Sequence, residues 1–492
     1  MLNVLSFSKS TLKSVFILLF LFAGFFSATL YASDSSTYWA KTYGSNYDSE
    51  PNFIIQTNDG GYVLGGAIGI SGGHNAWIAK LDSFGDVVWQ KAYDGGNKKN
   101  DYAKSILQKD DGNLMVLGNG DRYFWLLELD GADGSIKFQK SYQASYEPSK
   151  TSFDMNSIIK TDDGGYILIG SEFGYHAPLE TIIGVKPMHW VLAIRVAADG
   201  SVNWARNIRN IAHGGVGYQP PKWGKLYAND AFETQDGGFL VVGSAVGIGK
   251  GFYGSDHHHL MLLKLYSNGK QEWLKTYGGI RIEDGYAGVQ LDDGNYLVGG
   301  RGTISSYGGI TMWAMKINTD GSIIWQKTYG KNSSSEIYDI KKTNDGEILI
   351  VGKGKSSLDS SRYNILALKL DEQNGDVKMG KELGSTTNGD SKGLSVIKTD
   401  DGGYVIAGVT NSFGGSGESN DDIWVLKLDN LLYTPFDPST STAYLNTLDI
   451  KYTNTKTGKG SVTTDITNEQ PVIKTNELNA TDTDVTVSSQ GI

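Results

Sequence analysis

An Asp-Gly pair set between two short apolar segments recurs seven times along this chain, and that recurrence restricts the possible folds more than any other feature. The copies are Asp59-Gly60, Asp111-Gly112, Asp163-Gly164, Asp236-Gly237, Asp293-Gly294, Asp345-Gly346 and Asp401-Gly402, at glycine-to-glycine steps of 52, 52, 73, 57, 52 and 56 residues. In the first copy Phe53-Ile54-Ile55 precedes the pair and Tyr62-Val63-Leu64 follows it. Strand-length apolar runs flanking Asp-Gly predict a hairpin, because the pair suits the positive φ of a tight turn. A third segment follows in each copy, as in Ala76 to Leu81 or Ile423 to Leu428. After a second glycine-containing turn comes a fourth, as in Val87 to Lys91 or Ile323 to Lys327. One four-stranded sheet cannot bury both of its faces alone, so the repeat predicts a β-propeller blade, with a linear stack of sheets as the rival.

The chain ends choose between ring and stack. The seventh copy stops after its third strand, at Asp429. The missing fourth strand stands at the other end of the repeat region, where Trp39-Ala40-Lys41-Thr42-Tyr43-Gly44 matches Trp325 to Gly330 at five of six positions. The expected fold is therefore an all-β, seven-bladed propeller of four-stranded antiparallel blades over 36–433, closed by the N-terminal strand completing the last blade. Closure leaves no unpaired terminal sheet.

Outside the repeat, Lys9 and Lys13 precede the apolar run Val15 to Phe26, and small residues follow near Ala32-Ser33. This pattern reads as a signal peptide over 1–32, which places the mature chain outside the cytoplasm: secreted, periplasmic or on the cell surface. The run is short for a permanent span, so no integral membrane segment is expected after cleavage. Residues 434–492 are rich in Thr, Asn, Ser and Asp and poor in large apolar residues, and read as a flexible tail or linker. With no cysteine, disulfides and thiolate metal sites are excluded. A net charge of −10 without a Lys/Arg cluster argues against nucleic acid as a partner.

The pattern Asp-x-x-x-x-Ile, Asp-Gly-Gly-Tyr-Val-x-x-Gly, Trp-x-x-Lys-Leu-Asp and a closing Trp-x-Lys-x-Tyr-Gly resembles the β-propeller repeats of secreted bacterial and archaeal proteins. It is carried by Asp101 to Ile106, by Asp163 to Gly170 with Ile167 in place of Val, by Trp424 to Asp429, and by Asp320-Gly321 to Gly330. The resemblance spans about residues 36–430 and implies an extracytoplasmic propeller, in a family whose members mostly have no assigned activity. The turn-to-Trp stretches, such as Leu81-Asp82 to Trp89 and Asp199-Gly200 to Trp204, are similar to the tryptophan-docking segment of quinoprotein-type propellers. Those enzymes add an eighth blade and often a vicinal Cys pair; neither is present, and no organic cofactor is expected.

Most conspicuous residues read as architecture. Ten of the eleven tryptophans fall at or near repeat positions, which argues for packing between blades. The acids Asp48, Asp101, Asp154, Asp284, Glu336 and Asp390 stand ten to twelve residues before the turn glycines. They read as caps of exposed backbone N–H groups, with cation binding as the rival.

Three departures from the period are more informative: Phe173–His189, Arg209–Asp230 and Val246–His259. Loops alternate between the two faces of a blade, so all three are expected on one face of adjacent blades. They hold six of the seven histidines, His176, His189, His213, His257, His258 and His259, with Trp223, Tyr175, Tyr218, Tyr227 and Tyr253. Aromatic platforms suit sugar rings or protein side chains. Clustered imidazoles suit a divalent metal such as zinc, copper or manganese, or a general base near neutrality. The candidate binding residues are Tyr175, His176, His189, His213, Tyr218, Trp223, Tyr253, Asp256, His257 and His259. The leading reading is a non-enzymatic, monomeric binding or scaffold module whose partner is a protein or glycan at the cell exterior. The rival is a polysaccharide lyase or hydrolase using His176, His213, His257 and Tyr218, by analogy with other propellers alone.

Overall fold

The computed structural model describes residues 38–434 apart from the connecting segments 45–46, 71–72, 95–99, 145–150, 175–187, 209, 212–222, 247–257, 279–281, 304–308, 330–333, 344, 357–359, 385–388 and 413–419. Beyond residue 434 it describes four short strands. The signal-peptide reading of 1–32, and most of the tail reading, fall outside these residues. None of the described residues forms a helix long and apolar enough to cross a membrane.

Seven antiparallel sheets follow one another along the chain, each meandering from a first to a fourth strand. Blade 1 comprises Ser49–Gln56, Tyr62–Ile70, Gly73–Leu81 and Val87–Asp94. The first strands of all the blades (Ser49–Gln56, Tyr102–Gln108, Ser152–Lys160, Trp223–Glu233, Asp284–Gln290, Glu336–Lys342 and Ser391–Lys398) adjoin one another in cyclic order, the last beside the first. They form the inner ring. Blade 7 takes its fourth strand from the other end of the chain: Trp39–Gly44 pairs antiparallel with Asp422–Leu428, Trp39 opposite Lys427 and Tyr43 opposite Ile423. The stack is thereby excluded and the seven-bladed ring stands.

The hydrophobic core divides into seven clusters, one between each pair of successive blades. The cluster at the closure joins Trp39, Tyr43, Val405 and Ile423 from blade 7 to Ile54, Leu64 and Trp77 from blade 1. The repeated aromatics make these joints. Trp39 Nε1 donates to the Ser83 carbonyl at 3.1 Å and Trp89 Nε1 to the Gly131 carbonyl at 3.1 Å, each reaching the following blade. The hydroxyls of Tyr43, Tyr93, Tyr142, Tyr277 and Tyr329 donate to the carbonyls of Gly85, Gly134, Gly200, Gly321 and Gly375 in the next blade.

A second repeated device joins the inner ring. Every first strand carries a β-bulge eight residues before its turn glycine, at Asn52, Lys104, Asn156, Asn229, Tyr286, Tyr338 and Leu394. The residue after the bulge often bonds the next blade: Ser157 Oγ accepts from Ala231 N, Asp230 from Gly288 N and Asp339 from Val396 N. Ser395 Oγ accepts from Ile54 N, carrying the girdle across the closure. At the bulge itself, Asn52, Asn156 and Asn229 donate to carbonyls of the following inner strand.

Past residue 434, Gly460–Ser461, Ile473–Asn476, Thr481–Asp484 and Ser488–Gly491 pair antiparallel with the outermost strands of blades 4, 2, 1 and 7 in turn.

Candidate functional site

The two faces of the ring are built differently. On one face lie the seven Asp-Gly turns. In the first, Gly60 N bonds the Thr57 carbonyl and Gly60 alone takes positive φ, so the loop is a type I turn closed by a left-handed glycine. The seven turn glycines have φ between 74 and 84°. The aspartate is an anchor. Asp59 Oδ1 accepts from Thr57 Oγ1 at 2.6 Å, from Gly61 N at 3.0 Å and from Lys80 Nζ at 2.8 Å. Lys80, from the third strand, is buried. Burial alone would raise the Asp59 carboxyl; the lysine, threonine and glycine donors outweigh it and hold the group at about 2. Asp236–Lys264, Asp293–Lys316, Asp345–Lys369 and Asp401–Lys427 repeat the pair, with Arg195 serving Asp163. Blade 2 inverts it, with Glu128 in the third strand and Lys109 beside the turn.

The opposite face carries the longer connections. Gly174 pairs with Met188 and Val246 with His258 at the ends of their strands, so 175–187 and 247–257 both leave from this face. The third segment, 212–222, is flanked by a short ladder in which Ile211 faces Trp223. All three leave the ring on the same face of blades 3 and 4.

Of the candidate residues, Tyr175, His176, His213, Tyr218, Tyr253, Asp256 and His257 lie outside the described residues. Trp223 opens the first strand of blade 4. His189 is the second residue of the third strand of blade 3 and lies between Phe173 and Tyr227, with ring centroids at 4.3 and 4.5 Å. Burial, aided by the positive charge of Lys225, pushes its imidazole down to about 4. At neutral pH it is an uncharged ring in a tilted aromatic cluster shared by blades 3 and 4.

His258 and His259 lie at the entrance of the third strand of blade 4, where His258 Nδ1 meets Asp284 Oδ1 at 2.9 Å. His259 fills a slot that recurs in the fold, immediately before the residue opposite the final Tyr or Leu of the fourth strand. Thr311, Asn364 and Asp422 fill it in blades 5, 6 and 7. Its Nδ1 is 3.9 Å from Glu283 Oε2. The sequence thus separates neighbouring imidazoles onto different carboxylates. Among the described residues no three His, Asp or Glu side chains converge on a metal position.

Asp284 is the centre of a network that sequence reading missed. Burial would raise its carboxyl, but donors from Ser244, His258 and Arg301 hold it low. Arg301 Nε bonds Asp284 Oδ2 at 2.8 Å and Nη1 reaches Glu336 Oε1 at 3.4 Å. Tyr338 donates its hydroxyl to Glu336 at 2.9 Å and stacks on Tyr286 with centroids 5.8 Å apart. Both tyrosines occupy bulge positions where blades 1, 3 and 4 have asparagine, and that substitution was the available signal. The other acids differ in role: Asp48 and Asp390 accept from the backbone N–H of Asp421 and Tyr363, whereas Asp101 takes the Tyr123 hydroxyl and Asp154 the Asn119 amide. The capping expectation thus holds at two acids, and side-chain donors take the other four.

No family model matches the chain, and no curated protein matches it. Among solved structures it is similar to virginiamycin B lyase from Staphylococcus aureus, at 10% identity over 80% of this chain and 99% of that one, TM-score 0.43. It is also similar to Chaetomium thermophilum Sqt1 bound to the N-terminus of ribosomal protein L10, at 10% identity over 79% and 98%, TM-score 0.42. A protein of unknown function from Bacteroides caccae matches at 13% identity over 60% and 97%, TM-score 0.34.

Proposed function

We propose that this chain is exported and serves outside the cytoplasm as a monomeric, non-enzymatic binding or scaffold module. In this reading it recognises a protein or glycan through the face that carries the connections of blades 3 and 4. The observation that carries it is the difference between the faces. The turn face spends its polar groups on six near-identical anchors and one inverted pair, while all three long connections leave blades 3 and 4 on the other side. A repeat needs no long connection to close, so length confined to one face of adjacent blades is what a recognition surface would add.

The ring contacts Phe173–His189–Tyr227 of blades 3 and 4 and the Asp284–Arg301–Glu336 network of blades 5 and 6 lie toward the same face as the strand ends from which those connections leave. Side chains already held in place lose less entropy on binding than free ones do. The test replaces 175–187 and 247–257 with short glycine-containing turns. The variant is expected to melt as the parent does but to lose capture of cell-surface proteins and of glycans on an array. Undiminished capture would contradict the proposal, and turnover of acidic polysaccharides by the parent chain would favour the lyase reading instead.

A further inference from the structure

The closure is the one joint made between the two ends of the repeat region, and it contains a buried acid. Asp422 begins the third strand of blade 7 and is 4% exposed. It lies against Gly44, the last residue of the closing strand, so closely that a Cβ on Gly44 would fall 1.7 Å from its Oδ1. That oxygen accepts no hydrogen bond. Neutral side chains fill the same slot in blades 5 and 6. Thr311 donates its hydroxyl to the Tyr329 carbonyl at 2.7 Å, and Asn364 donates its amide to Glu382 at 2.7 Å over Gly384. An ionised carboxylate can only accept, and here the backbone surface offers Oδ1 no donor.

We propose that Asp422 is a proton-operated latch on ring closure: protonated, it lets the Trp39–Gly44 strand seat against blade 7, and ionised, it loosens that strand.

The surroundings favour the protonated form. Asp421, beside it in the chain, is itself raised by burial, and Asp48 and Glu50 of blade 1 and Asp390 of blade 7 oppose its ionisation. Lys392 of blade 7 is the countercharge, and it bonds Glu50 at 2.7 Å. Burial first and the Asp421 charge second push the Asp422 carboxyl up to about 6 from its ordinary 3.8. A carboxyl raised in the closed ring stabilises it below the ordinary value. That stabilisation fades as pH rises and is gone above about 6.

The test uses the full chain and its Asp422→Asn variant, which places the blade 6 side chain in blade 7. Amide exchange of Trp39–Gly44 is measured from pH 5 to 8 against that of the equivalent strand Val87–Asp94. In the parent, the protection of the closing strand relative to its reference is expected to fall about 10-fold across this range, the part of a shift of about two pK units that lies above pH 5. In Asp422→Asn the ratio should stay flat. Parallel profiles in the two proteins would overturn the latch. Should Asp422→Asn not fold, Asp422→Thr, the blade 5 residue type, is held to the same outcomes.

Discussion

The two faces of this propeller are made from the same strands, yet one repeats itself and the other does not. On the turn face, each blade sets an aspartate on a type I turn and, in every blade but the second, drives a buried Lys or Arg from the third strand onto it. On the connection face, the equivalent positions change from blade to blade: His259, Thr311, Asn364 and Asp422 share one slot, and Asn52, Asn156, Tyr286 and Tyr338 share another. Uniform chemistry on one side fixes register and blade spacing. The other side is thereby released to vary, and it is there that the chain places its long connections.

The ring is most vulnerable at the closure. Removing residues 1–44 leaves blade 7 without its fourth strand and exposes Ile423 and Trp424, which are buried in the ring. Loss of cooperative unfolding by calorimetry is expected, whereas a truncated chain that melts like the parent would contradict a closed ring. Next comes the core between blades. Trp77 is 0% exposed, and Trp77→Ala should cost about 3–5 kcal/mol in denaturant unfolding.

The turn anchors rank third. Asp59→Ala strands the Lys80 ammonium, but the Asp59 side chain is 64% exposed, so about 1–2 kcal/mol is expected instead of the larger cost of a fully buried pair. A Lys80→Met/Asp59→Asn double variant should recover most of it. The same anchors set the acid limit of stability. Asp59, Asp236 and Asp345 are held at about 2 in the folded chain, so their contribution is complete above about 4 and is lost as pH falls toward 2. Thermal melting over that range should show the fall, and a melting temperature constant from pH 5 to 2 would contradict it. The smallest effect belongs to the girdle: Ser157→Ala removes one buried bond to Ala231 N and should cost about 1 kcal/mol.

Much of this fold could be read from the sequence because each blade repeats the same physical problem. Asp-Gly fixed the hairpins, the apolar runs fixed the strands, and the match between Trp39–Gly44 and Trp325–Gly330 predicted which ends would meet. The aromatics at fixed offsets proved to be the joints between blades. What stayed hidden is what depends on a partner far along the chain. Nothing local ties Lys80 to Asp59, although a Lys or Arg accompanies the pair in most copies and Lys109 with Glu128 inverts it. The bulge was hidden because one extra residue leaves the apolar pattern intact; only the recurring Asn52, Asn156 and Asn229 marked it. On the connection face, the histidines were legible as a cluster in sequence, but His258 and His259 turn to different carboxylates, and His189 packs between two aromatic rings. Proximity along a strand does not bring side chains to one point, since successive residues face opposite ways.

Which face meets the partner decides whether blades 3 and 4 carry the recognition surface. Hydrogen–deuterium exchange of the chain, alone and with a captured surface protein or glycan, maps this directly. Protection confined to peptides from the connection face, strongest across blades 3 and 4, is the predicted result; protection centred on the Asp-Gly turns would contradict it.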